Sequence, residues 1–176
     1  QRFIMMYDLV VPQFSKILEN MLAILGEAQK YADEKKFDVG VLLQSRLAPD
    51  QFNLIRQVQV ACDTAKLGVA RLTDTEKSAP AHDDTERTMD EIKGRIEAVI
   101  AYLGGFSLED FATAPARRIS QPRWDGKTLS GHEYLVQHVI PNFYFHATMT
   151  HAILRHNGVS IGKNTYLGAL PLQTAE

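Results

Sequence analysis

Three polar side chains that can do chemistry recur at intervals of four near the end of the chain: His138, Asn142 and His146. An imidazole can move a proton near neutral pH or ligate a metal, and an amide can orient a ligand. Turned at roughly 100° per residue, these positions share an arc with Leu135, Val139, Met149 and Ile153, which should face a core. His151 points the other way, and His156 lies at the edge of that face. A buried imidazole or amide without a partner costs about 1–3 kcal/mol. The stack therefore implies a polar pocket inside the fold, buried water, or a bound ion. Structural polar packing explains it equally well, because Pro141 frees a carbonyl and kinks the segment. A kink can also rotate His138 outward.

A second set lies upstream. Gln57 and Gln59 flank the apolar stripe Leu54, Val58, Ala61, Ala65, Val69 and Leu72 on opposite sides, with Asp63 further round towards solvent. One glutamine should reach the pocket and the other should be exposed; periodicity leaves open which. His146 and His138 are thus the candidate catalytic groups, and Asn142, Gln59 and Gln57 the candidate ligand-binding ones. Asn142 and a glutamine are weak neutral ligands, so a tight zinc or nickel site has little chemical support. Any metal would fall to His146, Asn142 and Gln59. No other cofactor is called for. The single cysteine, Cys62, excludes an intrachain disulfide and reads as a small core residue. Neither "LGGF" nor "SIGK" has the full phosphate-loop pattern. Trp124 reads as packing, or as a lid.

Four amphipathic segments must position these groups. The first runs from about Asp8 to Asp33, with Asp8 as cap and Pro12 in the first turn. A connector follows, with a helical turn near Val41–Gln44 whose Leu42, Leu43 and Leu47 should plug one end. The second helix spans about Asp50–Leu72. The third opens at Asp83 or Asp84 and ends at Gly104–Gly105. Asp125–Gly126 suggests a small hairpin, held to an edge by Pro122. The fourth helix starts at the capping box Ser130–Glu133, continues past a kink at Pro141, and ends at Asn157–Gly158. An irregular tail follows, with Ile161, Tyr166, Leu167 and Leu170 packing back. These elements imply an all-α fold, a four-helix bundle forming one domain over residues 1–176.

The 176 residues are 45% hydrophobic and 23% charged, with a net charge of -2. That balance offers no field for nucleic acid. No apolar run reads as a membrane span, so neither nucleic acid nor membrane is an expected partner. A small molecule is, and a cytoplasmic location is the default.

The stretches "LLQSRLAPDQFNLIRQVQVACDTAK" and "YLVQHVIPNFYFHATMTHAILRHNGVSIGK", with "MMYDLVVPQF" before them, resemble an uncharacterised domain-of-unknown-function family. That family is placed in the DinB/YfiT-like superfamily of helical metalloenzymes. The resemblance implies a DinB-like bundle that forms a homodimer. Many relatives hold a divalent metal through three histidines, one on the second helix and an H-x-x-x-H pair on the last, and some are thiol-dependent transferases or isomerases. Here the pair reads Asn142-x-x-x-His146, and the second-helix position falls on Gln59 or, less readily, Gln57. Three functions follow as expectations. The first is a metal-free enzyme or binder of small molecules with a cavity about the kink. The second is a metal-dependent thiol transferase that recruits His138 or Asp63 as a further ligand. The third is a non-enzymatic dimerising bundle with His146 packed and no cavity.

Overall fold

The first apolar stripe builds α1, Arg2–Lys35, which begins before Asp8. Asp8 is therefore not a cap, and Pro12 lies inside the helix rather than in its first turn. Pro12 is exposed, so the carbonyl it leaves free can bond water. The computed structural model describes residues 2–174; positions 1, 175 and 176 of the expected domain lie outside the described residues. By length and composition α1 could cross a membrane, with a best-window mean hydropathy of 1.2, which corrects the reading of the sequence. Its stripe is nonetheless spent inside the bundle: Val10, Phe14, Leu18, Met21, Leu25 and Ala28 are fully buried.

The short helix α2, Gly40–Leu43, buries Leu42 and Leu43, but Leu47 stays exposed instead of plugging the end. Helix α3, Leu54–Leu72, starts later than expected because Asn53, not Asp50, is the cap, accepting from the Arg56 N–H at 3.0 Å. Helix α4, Met89–Leu103, likewise starts after Asp83 and Asp84. Its cap is Thr88, in a reciprocal capping box with Glu91. Asp84 is taken up by arginines instead.

The hairpin is present but minimal: β1, Arg118–Ile119, pairs antiparallel with β2, Leu129–Ser130. Asp125 and Gly126 both adopt positive φ, 50° and 78°, as a two-residue primed turn requires. Ser130 then caps the last long helix through the expected box with Glu133. That helix has three parts: α5, Gly131–Tyr134; a π-helical turn, Leu135–Val139; and α6, Ile140–His156. The Ile140 N–H bonds the Leu135 carbonyl, five residues back. Pro141 has no N–H to give and its ring crowds the carbonyl four residues earlier, so the preceding turn widens by one residue.

Helix α3 packs along α6, α4 lies against α1 and α3, and α1 closes against α6. The result is an all-α four-helix bundle. Its centre is aromatic, with Phe14 of α1 stacked on Phe143 of α6 at 4.0 Å. The tail is more ordered than expected. Helix α7, Lys163–Leu167, docks on α1, where Asn20 Nδ2 donates to the Tyr166 carbonyl at 2.8 Å. Ile161 is buried there, whereas Leu167 and Leu170 remain exposed.

Candidate functional site

The α3–α5/α6 seam is where the polar residues of the last helix go. His138, Asn142 and His146 do not all share one pocket. Tyr134, Asn142 and His146 each find a partner across the seam, forming a ladder of separate pairs, whereas His138 has only ring contacts. Arg71 Nη1 donates to the Tyr134 hydroxyl at 3.2 Å, Asn142 Nδ2 donates to Thr64 Oγ1 at 2.8 Å, and His146 Nδ1 meets Gln57 Oε1 at 2.7 Å. The α3 members Gln57, Thr64 and Arg71 are seven apart, two turns of one face.

Hollows open beside the ladder. One, about 250 Å³, sits at the π-turn between α3, the hairpin and the last helix. Asp63, Thr64, Arg71, Gln121, Arg123, His138 and Asn142 carry its polar wall, and Val60, Leu67, Pro122 and Tyr134 its apolar one. The His138 ring stacks on Tyr134 at 5.6 Å, and Trp124 meets both rings edge-on at 5.7 and 6.1 Å. Trp124 thus packs the hairpin onto the rim. Burial lowers the His138 pKa, and the nearby Arg123 and Arg71 cations add to the effect, so the ring is neutral near pH 7.

Another hollow, about 200 Å³, contains His146 with Asp50, Gln51, Phe52, Gln57 and Phe145. His146 is 7% exposed. Phe52 stacks over its ring at 6.2 Å and Phe145 meets it edge-on at 5.0 Å. Gln57 Nε2 donates to the Phe52 carbonyl, which turns Oε1 towards the imidazole. An amide oxygen only accepts, so Nδ1 carries the proton and Nε2 keeps its lone pair. Burial, with Arg56 adding to it, pushes the His146 pKa down to about 4.

Gln59 points elsewhere and, contrary to the expectation that the second glutamine is exposed, it is buried. It donates to Glu86 at 2.9 Å and accepts from Arg56, on the face of α3 that meets α4 and the preceding loop. There Arg95, 1% exposed, is gripped by Asp63, Asp84 and Glu86, and Lys66 pairs with Asp63 at 3.3 Å. Cys62 is fully buried, and desolvation pushes its thiol up to about 12, an inert core group.

The chain matches a family described as a domain of unknown function, DUF1993, over residues 6–167. A search of curated proteins gave no match. A crystal structure of a DinB family member protein from Shewanella denitrificans is 58% identical, with a TM-score of 0.95 over 97% of this chain and 96% of that one. The chain belongs to this DinB-like family of unknown function.

The expected set His146, Asn142 and Gln59 does not converge. Gln59 lies on the wrong face of α3, and Gln57 is the residue opposite His146. Asn142 is bonded to Thr64 and shares its hollow with His138, not with His146. Asp63, the other conceivable ligand, is already neutralised by Arg95 and Lys66. Among the described residues no three His, Cys, Asp or Glu side chains gather into a metal-binding group. Of the three histidines that the resemblance implies, only His146 stands in its position among the described residues, with the amide of Gln57 opposite it and Asn142 turned to Thr64. Arg71, Thr64, Gln121 and Arg123 went unrecognised in the sequence; the seven-residue spacing of Gln57, Thr64 and Arg71 was the available signal.

Proposed function

We propose that this DinB-like protein binds a small organic molecule in the hollow at the π-turn, without a three-histidine metal. The observation that carries the reading is the hollow itself. It lies where the helix widens, has an apolar floor, and gathers His138, Asn142 and Arg123 from separate elements. Concave, mostly apolar spaces with a few convergent polar groups are the usual form of a ligand site. His146 fits an orienting or proton-accepting role in the adjoining hollow less well, because a group with a pKa near 4 is a weak base at neutral pH. A fragment screen by protein-observed NMR tests the reading. Shifts should concentrate at Thr64, His138 and Asn142, and hits confined to other surfaces would overturn it. Metal analysis of purified protein should find zinc and nickel well below one per chain; a stoichiometric metal lost on replacing His146 would restore the metalloenzyme reading.

A dimerising bundle is the second reading. Phe52 and Phe145, 48% and 53% exposed, flank His146, whose Nδ1 is already satisfied by protein. Large exposed aromatics favour a protein contact. Sedimentation of the full chain and of Phe145→Ser decides it: a dimer lost in the variant supports this reading, and a monomer in both removes it.

A further inference from the structure

Building on the binding reading above, we propose that the occupant of the π-turn hollow is a small organic carboxylate. Its charged end meets Arg123, and its apolar body lies on Val60, Leu67 and Tyr134.

The wall is built to receive negative charge. Arg123 has no ion-pair partner among the described residues, whereas Arg71 beside it is held by Glu76 at 2.8 Å. Gln121 Nε2 is buried and has no hydrogen-bond partner among the described residues. The one carboxylate on the wall, Asp63, has its charge balanced by Arg95 and Lys66. The His138 ring stacks on Tyr134 of its own helix and lies near Arg123 from the hairpin and Arg71 from α3, with Asp63 elsewhere on the same wall. Two cations and no free anion surround it.

The size and the remaining surface narrow the class. About 250 Å³ lies below the roughly 300–1,000 Å³ of drug-sized pockets, so the ligand is small. The floor is aliphatic and aromatic, which suits a short hydrocarbon or a single ring better than a hydrated inorganic anion. A guanidinium presents a planar fork that matches a carboxylate in two bonds.

The test is an NMR titration of the full chain with benzoate, benzamide and inorganic phosphate as probes, reading the His138 Cε1–H signal against pH. Benzoate should bind and raise the apparent pKa of His138, because an anion beside the ring stabilises the imidazolium. Benzamide, of the same shape without charge, should bind more weakly and leave that pKa unchanged. Arg123→Ala should weaken benzoate by about 10- to 100-fold, the size of one lost charged hydrogen bond. Arg123 is exposed, so this variant should keep its fold, which circular dichroism checks. Absence of benzoate binding overturns the inference. Equal binding of benzamide in the hollow also overturns it, while leaving the small-molecule reading intact. Phosphate binding as tightly as benzoate would overturn the assignment to carboxylates in favour of a general anion site.

Discussion

His146 and Gln57 are joined across the α3–α6 seam by a 2.7 Å hydrogen bond that fixes the tautomer of the imidazole and leaves Nε2 free. The same bond sets the energetics of the pair. Replacing Gln57 with Leu strands the buried Nδ1–H, at a cost of about 1–3 kcal/mol in urea unfolding. Gln57→Glu does the opposite to the titration. A carboxylate facing Nδ1–H favours the imidazolium, so the His146 pKa should climb by a unit or more from about 4, read by its own NMR titration. A pKa unchanged in Gln57→Glu would show that the pair is not the contact described.

Acid should loosen the bundle through its histidines. In the folded chain His146 stays neutral down to about pH 4, while an unfolded histidine takes up its proton near 6.5. Between these values the unfolded state binds more protons, so stability is complete above about pH 6.5 and declines as pH falls towards 4. The loss from His146 is at most about 3 kcal/mol. His138 and His82 are shifted the same way, chiefly by burial. His82 Nδ1 sits 2.8 Å from the Lys66 ammonium, which can only donate, so protonating His82 breaks that bond and sets like charges together. Urea unfolding at pH 7 and pH 4.5 should show a smaller difference for His146→Phe than for the parent.

The sequence made the bundle legible and the site only partly so. Stripes such as Met89, Ile92, Ile96, Val99 and Leu103 carry helix identity locally, so the all-α fold follows from periodicity. Caps were misplaced where an earlier acidic residue competed: Asp83–Asp84 hid the Thr88–Glu91 box because both patterns precede the same stripe. The site stays open in the sequence for a different reason. Which of Gln57 and Gln59 meets His146 depends on the rotation of α3 against α6, which no single helix encodes. Pro141 announced a disruption, but not that the extra residue would be absorbed over Leu135–Val139. Arg95 carried no local sign of being the hub for three carboxylates, since its partners come from α3 and the preceding loop.

That hub is a stability determinant. Burial alone would raise the Asp84 carboxyl, and Arg95 with Arg56 outweighs it, holding the pKa below its ordinary value. Arg95→Met leaves Asp63, Asp84 and Glu86 facing one another without their shared cation. Stranding one partner of a buried pair costs about 3–5 kcal/mol, and the partial exposure of these carboxylates reduces the expectation to about 2–4 kcal/mol. Adding Glu86→Gln to Arg95→Met should recover part of the loss in chemical denaturation. A double variant no more stable than the single one would mean that carboxylate repulsion is not the cause.

Gly131 fastens to the last helix the hairpin that carries Gln121, Pro122 and Arg123 to the π-turn hollow. Its N–H donates to the Arg117 carbonyl at 2.8 Å, and a Cβ there would lie 1.7 Å from the backbone oxygen of Ala114. Neither backbone segment can yield by a rotamer change. Gly131→Ala should therefore cost about 3 kcal/mol or more, the upper end for overpacking. The expected readout is a lowered Tm with faster amide exchange from Arg117 to Ser130.

The π-turn poses the sharpest question, because Pro141 created the need for it but does not alone maintain it. Restoring an ordinary α-helix would mean rotating α5 against α6 by about one residue, roughly 100°. Both sides are anchored to α3, Tyr134 through Arg71 and Asn142 through Thr64. The turn also packs tightly, since a Cβ on Gly68 would lie 2.7 Å from Val139 Cγ1. Removing the proline therefore should not remove the turn. In Pro141→Ala the new N–H gains a carbonyl acceptor, the tertiary bonds stay, and stability changes by less than about 1 kcal/mol. The His138 and Asn142 side-chain signals should keep their positions. If they move together while those of His146 do not, the wide turn was held by proline chemistry, and the hollow beside it would close with the turn.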